Sequence, residues 1–391
     1  MLPTLERVKI LFSSLPAHGH TFPLLPLAIA AKAAGHEITY ATWETFHPVV
    51  AALGFETIHA GGDMATEFKR VVGDRTLQDM EPEEVTGAAM RVFGEVLPRL
   101  AVADLLPLLR ERHFDLVVNE SAAFGAAIAA KLAGIPAVAH GISKPTSLAH
   151  LPALKNALPT LAAEFGVELD DTTKLGFGGP YLDIYPESLQ DRETLAEYAT
   201  RVPLRPVAFA TPGELPAAVT QGEGKLIYLT LGTAFGNPKV LREAIDGLAA
   251  TGHRVLVAAG PAVDLDALGE PPANVAIESW VPQAEVLPHT DLVVHHGGSG
   301  TTLGAAAAGV RQLFVPQGAD QFTNAETFTT AGAAKQLLGE AVTAAALTEA
   351  ATDLLADDTA AKVVAALAEE IAALPSPTDI AARLPEWAIR Q

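Results

Sequence analysis

Residues 280–324 read WVPQAEVLPHTDLVVHHGGSGTTLGAAAAGVRQLFVPQGADQFTN. The order of residue types in this stretch decides the fold. Trp280 precedes an apolar run ending at His295, a strand by composition. The turn His295-His296-Gly297-Gly298-Ser299-Gly300-Thr301-Thr302 follows, then an alanine-rich helix, then a second short strand at Gln312–Val315. Strand, helix and strand in that order predict a parallel sheet with helices packed on it. In an open parallel sheet, ligands bind at the carboxyl ends of the strands. A glycine-rich turn there lets the backbone approach an anion, and a helix N-terminus offers free N–H groups and partial positive charge. A strand-to-helix turn with no ligand reads the same way. The turn is not a P-loop, because no Gly-Lys-Ser/Thr follows it. Trp280 suits stacking on a base, and core packing suits it as well. Asp320-Gln321 combines acceptors and donors fit for sugar hydroxyls, and also fits the start of a helix.

The same rhythm runs through the rest of the chain. Val8–Leu15, Pro23–Ala34, Glu37–Thr42 and Pro48–Leu53 alternate strand and helix patterns, as do Phe114–Val118, Ser121–Ala133 and Ala137–His140. The pattern restarts at Lys225 with Leu226–Leu231. AKAAGHEITYAT (31–42) is echoed by LAATGHRVLVAAG (248–260), and Ile10–Gly35 and Ile227–Gly252 are both 25 positions apart. Gly35 and Gly252 fit the residue just past a helix C-terminus. The α/β chain therefore divides into two Rossmann-like domains, 1–208 and 225–374. Arg201–Gly224, rich in proline and glycine, reads as a connection, with 209–224 as the linker proper. Residues 61–100 and 142–200 fit the rhythm poorly and read as insertions that shape a pocket. The tail, 375–391, is helical and is expected to pack back on the first domain.

Composition narrows the function. The chain has 391 residues, 49% hydrophobic and 18% charged, enough for ample core. A net charge of −20 argues against nucleic-acid partners and against docking on anionic membranes. Zero cysteines remove disulfides, thiolate metal sites and cysteine nucleophiles. No apolar run is long enough to span a bilayer, and Glu6 with the short apolar stretch after it does not read as a signal peptide. The expectation is a cytoplasmic protein, a monomer or a homodimer.

The strand Val8–Leu15 runs into Pro16-Ala17-His18-Gly19-His20-Thr21-Phe22-Pro23. A histidine at a strand's carboxyl end titrates near neutrality and can take a proton from a hydroxyl. A His-x-His pair can also begin a metal site, but no second ligand cluster stands nearby in the sequence. A general-base histidine needs a partner that fixes its tautomer. Glu120 closes another strand of the same domain and is placed to meet His20.

Together these residues resemble the GT-B glycosyltransferases, in particular the GT1 family and its bacterial natural-product (macrolide and polyketide) branch. The resemblance is most specific in 280–324, good at 8–42 and weak in 61–100 and 142–200. It implies two Rossmann-like domains facing each other across a cleft, and an inverting transfer with no metal and no cofactor beyond a nucleotide-sugar cosubstrate. His20, in its His-Thr-Phe-Pro setting, matches the family's base, with His18 the weaker candidate. Glu120 stands where the family usually carries Asp. Trp280 matches the base-stacking aromatic, Gln283 a base or ribose contact, and His296 the diphosphate histidine. Gly298, Ser299, Gly300 and Thr301 match the phosphate cradle, Thr233 a further phosphate or sugar contact, and Asp320 and Gln321 the pair that grips the donor sugar.

One departure is informative. Members that use UDP-sugars commonly carry Glu eight residues after the diphosphate histidine, on the ribose hydroxyls. Here that position is Gly304, which suits 2′-deoxyribose and therefore a dTDP-sugar, with a deoxysugar as the expected donor. Phe68, Met80, Met90, Phe93, Leu148, Leu151 and Phe165 suit a large hydrophobic acceptor, and equally ordinary core. Two other readings stay open: a nucleotide-sugar epimerase or hydrolase of the same fold, and a non-catalytic nucleotide-sugar-binding protein. A nicotinamide dehydrogenase is disfavoured, since residues 8–20 lack Gly-x-Gly-x-x-Gly.

Overall fold

In a computed structural model, the described residues place seven parallel strands in the first sheet and six in the second. The described residues are 7–75, 80–146, 152–168, 179–198, 200–211, 213–232, 238–260, 263–265 and 268–388. The first sheet comprises β1 (Lys9–Ser13), β2 (Glu37–Thr42), β3 (Glu56–His59), β4 (Leu116–Glu120), β5 (Ala137–His140), β6 (Tyr181–Asp183) and β7 (Arg201–Pro203), in the order β3-β2-β1-β4-β5-β6-β7. The second comprises β8 (Leu226–Thr230), β9 (Arg254–Ala258), β10 (Val275–Glu278), β11 (Leu292–His295), β12 (Arg311–Phe314) and β13 (Ala334–Gln336), in the order β10-β9-β8-β11-β12-β13. The central strands are buried along their length, which explains their unbroken apolar runs: helices cover both faces of a parallel sheet. In each sheet the order reverses between its first strand and the fourth, β1 beside β4 and β8 beside β11. That reversal is where a doubly wound sheet opens a crevice for a ligand.

The chain separates into two compact units. One is Met1–Ile184 with Gln190–Leu204 and Pro375–Gln391, and the other is Tyr185–Leu189 with Arg205–Leu374. In the first, buried Leu105, Leu109, Val117, Ala126 and Ala130 form a core between the sheet and its helices. In the second, Leu229, Leu241, Ile245, Val257, Val294 and Leu347 do the same. The two echoed segments occupy equivalent places, each leading from a helix into the strand beside the sheet's first. Gly35 (φ 94°) and Gly252 (φ 73°) both take the left-handed turn between them. The tail returns to the first unit, where the helix Pro377–Ala381 packs on the helix Leu25–Ala33 and His36 Nε2 lies 3.3 Å from the Ala381 carbonyl.

Two segments differ from the sequence-based reading. Residues 142–200 are not wholly an insertion, because β6 joins the sheet there and β7 pairs with it. At three residues each, these strands are too short to show a period. The connection read into Arg201–Gly224 likewise begins as β7 and contains the helix Ala217–Thr220. Within 61–100 the described residues form the helices Met64–Val72 and Pro82–Arg91, the second followed by a π-turn at Val92–Val96.

Candidate functional site

In the first unit, β1 ends at Ser13 and the chain turns into a short helix, His18–Thr21. β4, paired with β1, ends at Glu120. His20 and Glu120 thus both stand at the reversal of strand order. His20 Nδ1 lies 3.0 Å from Glu120 Oε1. The carboxylate is fully buried, and its Oε2 accepts the Ala122 N–H at 2.7 Å, so it cannot swing away. A carboxylate only accepts, which assigns the Nδ1 proton to His20 and leaves Nε2 basic.

The turn beneath His20 is itself secured. Tyr40 Oη donates to Ser14 Oγ (3.0 Å), Ser14 pairs with Thr21 Oγ1 (3.0 Å), and Thr21 donates to the Leu15 carbonyl (3.0 Å). Burial pushes the Tyr40 hydroxyl well up, so it stays a donor. Above His20 the Phe93 ring stacks near-parallel at 6.0 Å, and Phe68 meets Phe93 edge-on at 5.9 Å. Phe93 sits in the π-turn, whose extra residue re-aims the side chains after it. His18 is held edge-on between Phe22 and Phe46, and burial lowers its pKa. Among the described residues no group of three or more His, Asp or Glu could hold a metal ion. Phe165 packs on a core cluster with Val102 and Ile128, whereas Leu148 and Leu151 lie outside the described residues.

In the second unit, β8 and β11 end side by side. His296 follows β11 and lies between two glycines: a β-carbon on Gly232 would sit 2.6 Å from its Cε1, and one on Gly298 would sit 2.6 Å from its Nε2. Only glycine fits at either place, so the bare backbone of two turns lines the ring. Burial holds the His296 pKa down to about 4, with the Thr230 backbone offsetting part of that. The ring is therefore neutral at pH 7 and donates from one nitrogen only. His295, fully buried, accepts the Gly297 N–H at Nδ1 (3.2 Å) and so donates from Nε2 to Gln312 Oε1 (2.9 Å). It shapes the turn from behind.

The helix Ser299–Ala307 begins at this turn, capped by Gly298 with no side-chain hydrogen bond at its N-terminus. Its first N–H groups are the ones a helix leaves without internal partners. The hydroxyls are committed elsewhere. Ser299 donates to Asp320 Oδ2 (2.8 Å), and Thr301 to Gln283 Oε1 (3.2 Å). Gln283 is thereby tied to the helix. Trp280 is 45% exposed, unusual for an indole in a chain with this much core. Thr233 lies outside the described residues.

Asp320 and Gln321 behave differently from each other. Asp320 is exposed and follows Ala319, whose φ of 53° is the only left-handed one among the described non-glycine residues. Gln321 is buried, and its Oε1 accepts the N–H groups of Gln317 (2.8 Å) and Gly318 (3.1 Å). Gln321 thus ties down the strained turn that presents Asp320. Residues that sequence reasoning did not single out complete the arrangement: His295, Gln312, Asn324, Tyr185, Ser14 and Tyr40. For Asn324 a signal existed, since it lies one helical turn after Asp320.

Residues 242–387 match the family described as erythromycin biosynthesis protein CIII-like, C-terminal domain. The chain is 33% identical to the L-demethylnoviosyl transferase of Streptomyces niveus, over 96% of this chain and 97% of that one. It is 32% identical to the elloramycin glycosyltransferase ElmGT of Streptomyces olivaceus, over the same shares. Among solved structures it resembles SsfS6, a Streptomyces sp. SF2575 glycosyltransferase complexed with thymidine diphosphate. The TM-score is 0.78 and the identity 28%, covering 97% of this chain and 99% of that one.

Proposed function

The chain belongs to the GT-B glycosyltransferases of bacterial natural-product biosynthesis, and we propose that it moves a sugar from a dTDP-sugar to a hydroxyl of a hydrophobic aglycone, with inversion and without a metal. The first unit binds the acceptor and the second the donor. His20 Nε2 takes the acceptor hydroxyl proton as that oxygen attacks the anomeric carbon. The bond from that carbon to the diphosphate oxygen breaks as the new one forms, on the opposite face. Glu120, 3.0 Å from Nδ1, stabilises the imidazolium so formed. General-base help of this kind is worth roughly 10²–10⁴ in rate. The departing dTDP carries its charge onto the turn of His296, Gly298, Gly300 and Thr301. Preorganised donors there contribute about 2.7–4 kcal/mol each. Trp280 stacks on thymine, Gln283 approaches the base or ribose, and Asp320 receives the donor-sugar hydroxyls, with Gln321 holding it in place.

The His20–Glu120 pair at the strand-order reversal carries this reading, because it supplies an oriented base where a catalytic residue is expected. It also argues against a protein that only binds the nucleotide-sugar. The dTDP preference is supported by Gly304. A β-carbon there would lie 3.0 Å from Leu287 Cδ1 and 3.4 Å from Ala208 Cβ, so apolar groups fill the space where a ribose-binding carboxylate would start. The thymidine diphosphate bound in SsfS6 supports it too. No described helix is long and apolar enough to cross a membrane, and the absence of cysteine fits work in the cytoplasm. Titration calorimetry with dTDP and UDP tests the donor: dTDP binds more tightly, and clearly tighter UDP binding overturns the preference.

A further inference from the structure

Asn324 is 1% exposed and every polar atom of its side chain is engaged. Its Nδ2 donates to the Gly297 carbonyl (2.8 Å) and to Ser299 Oγ (3.0 Å). Its Oδ1 accepts from Tyr185 Oη (3.0 Å), 139 positions earlier in the chain. Tyr185 is fully buried, and burial pushes its hydroxyl well up, so it remains a donor. Ser299 Oγ in turn donates a hydrogen bond to Asp320 Oδ2 at 2.8 Å.

The direction of this chain is forced from its end. A carboxylate only accepts, so Ser299 must donate to Asp320. Ser299 then accepts from an N–H of Asn324, which fixes the amide so that its oxygen meets Tyr185. The result is one ordered series, Tyr185 to Asn324 to Ser299 to Asp320, with a side branch that pins Gly297. Gly297 has φ 97°, and a β-carbon on it would lie 2.9 Å from the Gln321 carbonyl, so the turn and the Asp320-bearing helix are already in contact. Satisfied buried networks of this kind hold a single geometry, and breaking one link leaves its immediate partners short of a hydrogen bond.

We infer that Ser299 and Asn324 are positioning residues for Asp320: the Ser299 hydroxyl serves the sugar-binding carboxylate rather than the diphosphate, and Asn324 orients that hydroxyl. The inference rests on the donor-site reading above. It separates two roles that the glycine-rich turn would otherwise share, with backbone for the phosphates and side chain for the sugar.

Calorimetric titration of dTDP and of dTDP-glucose into the wild type, Ser299→Ala, Ser299→Thr, Asn324→Ala and the Ser299→Ala/Asn324→Ala double variant tests it. A hydrogen bond to a charged group corresponds to at least about tenfold in affinity. Ser299→Ala is expected to weaken dTDP-glucose about tenfold and dTDP less than about threefold, with Ser299→Thr restoring the wild-type ratio. The double variant should bind dTDP-glucose no more weakly than the weaker single one, since both cut the same series. Ser299→Ala leaves the amide network otherwise intact, so the test holds even where Asn324→Ala fails to fold. Equal weakening of both ligands by Ser299→Ala makes Ser299 a phosphate ligand and overturns the inference, as do unchanged affinities or fully multiplying effects. A wild-type protein that binds neither ligand overturns the donor-site reading itself, and this inference with it.

Discussion

His20 and Glu120 stand 3.0 Å apart at the ends of adjacent parallel strands, with the carboxylate fully buried and anchored to the Ala122 N–H. Such a pair fixes one tautomer and supports the positive charge that proton abstraction creates. Glu120→Gln keeps the size but not the charge, and its amide can present N–H where oxygen is needed. Transfer to a hydroxyl acceptor is expected to fall by roughly 10²–10⁴. The dTDP affinity measured by calorimetry should be unchanged, because Glu120 belongs to the first unit. A Glu120→Gln variant with wild-type turnover would remove Glu120 from the mechanism.

Trp280 offers a different test, because its indole is 45% exposed and contributes little to the core. Trp280→Ala should leave the denaturant midpoint close to wild type. Stacking on a base is worth about 1–3 kcal/mol, so dTDP should bind roughly five- to 150-fold more weakly. A large loss of stability with unchanged dTDP affinity would make Trp280 a packing residue.

Gln321 is expected to act mainly on stability. Its Oε1 holds two backbone N–H groups of the turn that contains Ala319 at φ 53°. Gln321→Ala leaves those groups without their acceptor and should cost about 1–3 kcal/mol by urea unfolding. Ala319→Gly relieves the left-handed strain and should partly restore a Gln321→Ala protein. Failure of Ala319→Gly to recover any stability would show that the turn is not strained.

His140, His295 and His296, the histidines whose pKa values fall furthest, predict a pH dependence. Burial lowers His140 to about 4, His295 to about 3 and His296 to about 4, from an ordinary 6.5. Below pH 6.5 the unfolded chain binds protons that the folded chain refuses, so stability that is full above 6.5 falls down to about pH 4 for His140 and His296 and to about pH 3 for His295. Each group contributes up to about 1.4 kcal/mol per pH unit. Urea unfolding at pH 7.5 and 5.5 should show a drop of a few kcal/mol, reduced in His295→Gln. Equal stability at the two pH values would contradict neutral burial.

The long central strands, the duplicated glycine after a helix and the His-Gly-Gly turn were legible because local rules write them: unbroken apolar runs, left-handed glycine, and a helix starting at a strand's end. β6 and β7 escaped notice because three residues show no period, and they are strands only by pairing with their neighbours. The glycine-rich turn at a strand's end and the meeting of His20 with Glu120 were legible in the sequence. The commitments of the site's other side chains were not. Nothing local says that Ser299 donates to Asp320, that Gln321 turns inward to cap Gln317, or that Tyr185 reaches Asn324. Those partners lie from a few to 139 positions apart, and only tertiary packing brings them together.

Mass spectrometry of wild-type and His20→Ala protein, incubated with dTDP-glucose or UDP-glucose and a panel of hydroxylated hydrophobic aglycones in the presence of EDTA, tests the central claim most directly. The account predicts a hexosyl adduct of an acceptor with the wild type, more from dTDP-glucose than from UDP-glucose, undiminished by EDTA, and none with His20→Ala. An epimerised or hydrolysed donor without any conjugate, or an adduct formed equally well by His20→Ala, would contradict it.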